Sequence, residues 1–163
     1  MVSTHPQIIE MQPKRLMGVH ARLSYSSYNV VALWQQLMPR RKELQGVIGE
    51  QLFSVQYFST DFFKNFSPTN PFDKWSAVEI GEDAIVPTDW VELTLEGGLY
   101  AVFAYKGDES GAAEAFQYIL GVWLPNSEYQ LDDRKHFEIL DHRYKRNDPN
   151  SEEDIYIPVR LKA

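Results

Sequence analysis

Near its C-terminal end the chain contains the stretch Asp154-Ile155-Tyr156-Ile157-Pro158-Val159, and this stretch decides the fold. Its Ile and Val residues alternate with Asp, Tyr and Pro, which is the period-two pattern of a β-strand. Because the Ile and Val side chains form the apolar face, they should pack against helices. The Asp and Tyr side chains then point to the other face, where we expect them to look into a cleft.

The elements that precede this strand follow the same order twice along the chain. In the second half, the patterns predict strands over 90–105, 136–144 and 153–161 and a helix over 110–123. In the first half, they predict strands over 7–24, 52–59 and 72–80 and a helix over 29–45. Because the order β-α-β-β is repeated, we interpret the chain as a duplication, with repeats at about 8–81 and 90–161.

A duplicated β-α-β-β order predicts an α+β fold. The expected architecture is one antiparallel sheet with two helices on one face and a central ligand cleft between the halves, since clefts at such junctions are natural ligand sites. A chain of 163 residues is expected to form a single domain over 1–163.

Local signals refine these elements. Pro39 should end or kink the first helix near Met38. Ser110 is the expected N-cap of the second helix, and Gly18 indicates a bulge in the first strand. The pair Gly97-Gly98 is expected to form the turn of a hairpin.

The composition argues against several classes of protein. The net charge is −7, so we expect no direct nucleic acid binding, because an acidic surface repels phosphates. The absence of cysteine excludes disulfides and thiolate zinc sites. The histidines lack metal-ligand spacing and no phosphate-binding loop occurs, so neither a metal nor another cofactor is expected. No signal peptide or membrane span is seen, which predicts a cytoplasmic protein without membrane contacts.

The candidate ligand-binding residues begin in the last strand. Asp154 and Tyr156 share one face there, so a carboxylate stands beside an aromatic ring, and this combination suits a cation. Glu152 is a further candidate, because Glu152, Glu153 and Asp154 run together and a one-residue bulge would exchange their faces. The alternative is that Asp154 is an ordinary edge charge that prevents aggregation.

The last strand of the first repeat offers a counterpart. Trp75 and Glu79 share a face there, and pseudo-symmetry would bring them across the cleft towards the acid and the ring of the final strand. Tyr57 and Tyr100 are further candidates, since either could donate a hydroxyl group to a ligand, and Phe137 could line the pocket.

Two stretches of the second half carry a resemblance to a known family. One is Val91-Glu92-Leu93-Thr94-Leu95-Glu96-Gly97-Gly98-Leu99-Tyr100-Ala101-Val102-Phe103, a strand followed by Gly-Gly and a Tyr-Ala-Val strand. The other joins Phe137-Glu138-Ile139-Leu140-Asp141 through a polar turn to Glu153-Asp154-Ile155-Tyr156-Ile157-Pro158-Val159. Together they resemble the GyrI-like family, the effector-binding domain attached to many AraC-type and MerR-type bacterial regulators.

The resemblance implies a pocket between the halves that binds hydrophobic and often cationic small molecules. The acidic residue that the family has before the Ile-Tyr-Ile-Pro run, commonly Glu, falls at Asp154 here and is one methylene shorter. The resemblance fills nearly the whole chain, so no helix-turn-helix is expected. We therefore predict a small-molecule sensor without its own DNA-binding domain.

Two alternatives stay open alongside the sensor. A carboxylic acid buried beside Tyr156 could act as a general acid or base, as in a hydrolase of strained, cyclopropane-containing compounds. The chain could instead bind a protein partner, as an inhibitor of DNA gyrase or a regulator that acts through another chain. We favour the sensor over an enzyme.

Overall fold

The computed structural model describes residues 1–163 and contains one curled antiparallel sheet with two short helices on its outer face. The strands are β1 (Gln7–Met11), β2 (Lys14–Leu23), β3 (Leu52–Tyr57), β4 (Phe72–Glu79), β5 (Val91–Leu95), β6 (Gly98–Lys106), β7 (Tyr129–Leu131), β8 (His136–Leu140) and β9 (Glu152–Leu161). The helices are α1 (Val30–Leu37), continued by a 3-10 turn (Met38–Glu43), and α2 (Ala112–Tyr118), continued by a π-helical turn (Ile119–Trp123). Neither helix is long and apolar enough to span a bilayer.

The order of the strands across the sheet has the symmetry of a duplication. It runs β1-β6-β9-β8-β3-β4-β2-β5, and β7 pairs separately with β9. The halves meet at β8 and β3, and each half contributes a strand, a helix and two strands around that junction. The predicted α+β fold, with an antiparallel sheet and helices on one face, is therefore confirmed. The single domain over 1–163 and the repeat limits at 8–81 and 90–161 stay predictions.

Two short links tie the ends of the strand order together. β1 lies at one end and β2 near the other, yet only Gln12 and Pro13 join them, and only Glu96 and Gly97 join β5 to β6. Each link covers three steps along the backbone, which span at most about 11 Å, so the sheet must curl until its ends are close. The predicted Gly97-Gly98 hairpin was wrong, because β5 pairs with β2 while β6 pairs with β1 and β9.

Arg134 connects β6 and β9 beside these links. Its guanidinium donates hydrogen bonds to the carbonyl oxygens of Leu99 (2.6 Å) and Val159 (3.1 Å), and forms an ion pair with Asp132 at 2.7 Å. The same group lies 4.6 Å from the ring centroid of Tyr100. A buried guanidinium with satisfied donors joins β6 to β9, where the curl closes.

Alternation along the strands gives the sheet two different faces. Inside the curl, buried residues of six strands form an inner core: Leu16, Phe53, Val55, Ala77, Leu93, Leu95, Tyr100, Phe137 and Ile139. On the outer face, α1 covers apolar residues of β2 and β4, and α2 covers those of β6 and β9. Ile155, Ile157 and Val159 are buried under α2, so their predicted packing against a helix is confirmed.

Not all of the local signals were right. α1 ends at Leu37 and Pro39 lies in the 3-10 turn that follows, as predicted. Asp108 caps the 3-10 turn (Glu109–Gly111) before α2, since its carboxylate accepts a 2.9 Å hydrogen bond from the Ser110 amide. The N-cap position of α2 itself is Gly111, so Ser110 is not the N-cap. Gly18 lies in a regular ladder between β4 and β5, without the predicted bulge. The single strand predicted over 7–24 is divided into β1 and β2.

Candidate ligand-binding site

The outer face of the sheet carries a row of polar side chains between the patches that the two helices cover. We call this row the central polar strip: Ser54, Gln56, Lys74, Ser76, His136, Glu138 and Glu153. The register of the strands creates it, because Ser54 lies opposite Glu138 on one side and Ser76 on the other. All members except the two glutamates are buried, and both glutamates are half-buried. Polar groups persist in such a place when they bond to one another or serve a ligand.

Four residues of the strip form a hydrogen-bonded chain. The ammonium group of Lys74, which is 2% exposed, donates to Ser54 Oγ at 2.6 Å and to Gln56 Oε1 at 2.7 Å. The amide nitrogen of Gln56 donates in turn to Glu138 Oε2 at 2.7 Å. Because a buried ammonium group requires a counter-charge, we interpret Lys74 and Glu138 as an ion pair that Gln56 mediates.

Burial and charge act against each other in this pair. Burial lowers the pKa of Lys74, whereas the charges of Glu138 and Glu153 raise it in part. Burial raises the pKa of Glu138, whereas Lys74 and the hydrogen bond from Gln56 lower it. Each charge therefore depends on its partner, and removing one partner favours the neutral form of the other.

Glu153 is the second acid of the strip, and it differs from Glu138. Burial, together with the charge of Glu138, raises the pKa of Glu153 from 4.5 to about 8, against the opposing effect of Lys74. The residue also lines an open depression of about 470 Å³ beside β6 and β9, to which Tyr105 and Arg143 belong. Burial therefore favours the protonated form of Glu153, and this residue borders solvent.

An aromatic cluster borders the strip on the side of the first repeat. Its members come from the loop before α1, from the β3–β4 connection and from β4: Tyr25, Tyr28, Phe58, Phe62, Phe63, Phe66 and Phe72. The rings of Phe58 and His136 lie edge to face with centroids 5.1 Å apart, which joins the cluster to the strip. Four of its members are between 37% and 54% exposed. Exposed rings gathered in one patch indicate a binding surface.

Tyr25 and Tyr28 connect this cluster to the acids. Burial raises the pKa of both phenols above the ordinary value, and the charge of Glu138 adds to the effect. The charge of Glu153 also raises the pKa of Tyr28. Although both side chains are partly exposed, their hydroxyl groups are therefore shielded and lie near the carboxylates. The aromatic cluster and the two acids of the central polar strip are therefore neighbours and form one candidate site.

The residues predicted from the last strand lie on the opposite face of the sheet. Asp154 accepts a 2.9 Å hydrogen bond from Arg143, and Tyr156 stacks on Phe137 with ring centroids 4.5 Å apart. Alternation correctly placed Asp154 and Tyr156 on the face away from the helices. The central polar strip lies on the helix side of the sheet. Of the three acids from Glu152 to Asp154, Glu153 is the one that faces the strip. Ligand binding by Asp154, Tyr156 and Phe137 therefore stays a prediction.

The expected counterparts in the first repeat have partners of their own. Trp75 borders the inner core, and Glu79 forms an ion pair with Lys14 at 3.4 Å. Glu152 is exposed and lines the same depression as Glu153. Ligand binding by Trp75, Glu79 and Glu152 stays a prediction.

Two tyrosines that were predicted to contact a ligand have protein partners. Tyr57 donates a 2.7 Å hydrogen bond to Asp133, and this bond raises the pKa of the phenol. Tyr100 is buried in the inner core and donates to the carbonyl oxygen of Glu96 at 2.7 Å, and burial raises its pKa to about 12. Their ligand contacts also stay predictions.

The main polar residues of the strip were missed from the sequence, although a signal for them exists. Ser54 and Gln56, like Lys74 and Ser76, are polar residues two positions apart in otherwise apolar strands. Such spacing places both residues on one face, and it is usually taken as a solvent-facing edge. Glu138 stands within the stretch that carried the family resemblance, but it was not singled out.

Together, the curled sheet, the two helices and the polar strip with its aromatic border define a small-molecule binding domain. The family comparison agrees, since the GyrI-like small molecule binding domain matches residues 4–160. The chain belongs to the GyrI-like family.

Known proteins similar to this chain include regulators. It is 28% identical over 156 residues to the transcriptional regulator BrlR of Pseudomonas aeruginosa. The aligned region covers 95% of this chain and 55% of BrlR. The chain thus spans about half the length of that relative. The EcmrR C-terminal domain has a TM-score of 0.71 at 12% identity, covering 97% of this chain and 98% of that one. SAV2435 bound to tetraphenylphosphonium has a TM-score of 0.66 at 16% identity, covering 96% and 94%. Both structures confirm the fold.

Replacing Glu153 by Gln is expected to raise stability at alkaline pH. The pKa of Glu153 is raised from 4.5 to about 8 in the folded state. Between these two pH values the folded chain therefore keeps a proton that the unfolded chain has already lost. This contribution to stability is complete at low pH and is lost as the pH rises through that window. The free energy of unfolding of Glu153→Gln, relative to the native chain, should rise by ~2 kcal/mol between pH 6 and pH 9. Urea unfolding at both pH values measures it, and equal curves at both would contradict the assignment.

Proposed function

We propose that this domain binds a hydrophobic organic cation between the central polar strip and the aromatic cluster, and that it serves as an effector-binding module. The observation that carries the proposal is the position of two half-buried acids beside a partly exposed aromatic cluster. The rings supply apolar area and the carboxylates supply charge, which are the two properties that such a ligand requires.

The energetic balance supports this class of ligand. Contact of a cation with an aromatic face contributes roughly 0.5–2 kcal/mol, with the larger values where water is excluded. Tyr28 offers both a partly exposed ring and a hydroxyl group close to the acids. The structure of SAV2435 holds tetraphenylphosphonium, a cation surrounded by aromatic rings, which makes this compound a suitable first probe.

Calorimetric titration with tetraphenylphosphonium tests the proposal. We expect saturable binding to one site, and we expect Phe66→Ala to weaken it about tenfold by removing an exposed ring of the aromatic cluster. Ile85→Ala is the matched control, because Ile85 is also an exposed apolar residue, at 61% against 54% for Phe66, and lies outside the cluster. Equal affinities for the native chain and both variants would show that the aromatic cluster does not contribute to binding.

The role in the cell is proposed from the same features. We infer that the ligand-bound domain acts on a protein partner or on a regulatory segment in the cytoplasm, and does not contact nucleic acid through its own surface. The net charge of −7 supports the second part, since an acidic surface disfavours a phosphate backbone.

A further inference from the structure

The imidazole ring of His136 differs from the other polar groups in the middle of the central polar strip. Ser54, Gln56, Lys74 and Glu138 are joined by hydrogen bonds. The side chain of His136 is only 4% exposed, yet neither ring nitrogen forms a hydrogen bond within the protein. Because nearly buried polar groups usually have partners, this ring has hydrogen-bonding capacity left for a ligand.

His136 stands where the strip meets the aromatic cluster. The centroid of its ring lies 5.1 Å from that of Phe58 and 6.3 Å from that of Phe63. Phe63 is 37% exposed, so a movement of its ring gives a ligand access to the imidazole.

A second unpartnered group of the strip does not offer the same access. Ser76 Oγ is the only fully buried side-chain polar atom that lacks a hydrogen bond. The ring nitrogens of His136 also lack one, so each of them must retain some exposure. Ser76 is 0% exposed, whereas His136 can be reached from the aromatic cluster.

We propose that His136 selects ligands that carry a hydroxyl group on an aromatic ring, because this hydroxyl group forms a hydrogen bond with the imidazole while its ring packs against Phe58 and Phe63. This inference rests on the proposed function and deepens it, since it names the class of ligand: a hydrophobic cation that bears a phenolic hydroxyl group.

The chemistry of the buried imidazole suits such a group. Burial, together with the charge of Arg134, lowers the pKa of His136 from 6.5 to about 3, so the ring is neutral at pH 7 and does not repel a cation. A neutral imidazole has one nitrogen that accepts a hydrogen bond and one that donates. A hydroxyl group can do both, so it matches either tautomer, whereas an aromatic C–H or a methyl group matches neither.

Two cations of nearly equal size, (4-hydroxybenzyl)triphenylphosphonium and (4-methylbenzyl)triphenylphosphonium, test the proposal by calorimetric titration at pH 7. An apolar subsite favours the methyl compound, because burying a hydroxyl group without a partner costs free energy. We expect the native chain to bind the hydroxyl compound about fivefold more tightly than the methyl compound. In His136→Phe, which keeps a ring beside Phe58, the order should reverse and the methyl compound should bind about threefold more tightly.

The comparison is between two affinities within one variant, so a general change in the site cancels. His142→Phe is the matched control, because His142 is exposed and lies outside the strip, and this variant should keep the native order. Nitrogen-15 NMR of the native chain gives a second measurement that does not depend on the folding of a variant. The ring signals of His136 should shift more with the hydroxyl compound than with the methyl compound.

The outcomes separate this inference from the proposed function. Tighter binding of the methyl compound by the native chain, or the same order in His136→Phe as in the native chain, would overturn the role of His136 and leave the proposed function standing. Equal nitrogen-15 shifts with both compounds would also overturn it. If neither compound binds, the proposed function fails, and this inference fails with it.

Discussion

Replacing Lys74 by Met is expected to lower the free energy of unfolding at neutral pH by about 3–5 kcal/mol, which is the usual cost of removing one member of a buried ion pair. The Met side chain fills the space of the lysine stem, so packing changes little. What is lost is the positive charge opposite Glu138 and the donor that Ser54 Oγ and Gln56 Oε1 share. Urea unfolding monitored by tryptophan fluorescence measures the loss.

Two further measurements test whether the loss of stability in Lys74→Met arises from the unmatched charge of Glu138. Acidification should reduce the deficit of Lys74→Met, because a protonated Glu138 needs no counter-charge. Adding Glu138→Gln should recover most of the stability, since a neutral pair leaves no charge unmatched. Lys42→Met is the control, because Lys42 is exposed and its loss should cost less than about 0.5 kcal/mol. Additive losses for the two single changes would show that Lys74 and Glu138 do not interact.

The direction of side chains along single strands could be predicted from the sequence. Alternation placed Ile155 and Ile157 under a helix, and it placed Asp154 and Tyr156 on the other face, both as found. The α+β class and the position of the closing strand followed from the same pattern. These properties depend on residues that are close in sequence, where a period of two leaves little freedom.

The location of the site could not be predicted in the same way. Whether a polar face meets a cleft or the inside of a curl depends on how β8 meets β3 and how the distant ends of the sheet approach each other. Ser54 and Glu138 are neighbours in space but 84 positions apart in sequence, and only the register of β3 with β8 unites them. The run from Glu152 to Asp154 left the acid undecided for the same reason, because one step of register exchanges the two faces.

Strands β2 and β4 approach closely at Gly18, and Gly18→Ala is expected to destabilise the fold by about 3 kcal/mol or more. A Cβ atom at Gly18 would lie 2.0 Å from the backbone oxygen of Ser76 and 2.6 Å from Cα of Ala77. Both atoms belong to the central strand β4, which cannot move aside without disturbing its hydrogen bonds to β2 and β3. Because Ser76 and Lys74 are carried by β4, the change should also weaken the binding of tetraphenylphosphonium.

Gly121→Ala provides the matched comparison, because a Cβ atom there meets nothing within 4 Å and the residue lies in the helical turn after α2. Alanine costs less backbone entropy than glycine, so this variant should be neutral or gain up to about 1 kcal/mol. Thermal unfolding of both variants against the native chain measures the contrast. Equal melting temperatures for Gly18→Ala and the native chain would mean that β2 and β4 can separate without cost. In that case the close approach of these strands would not be what fixes the polar strip in place.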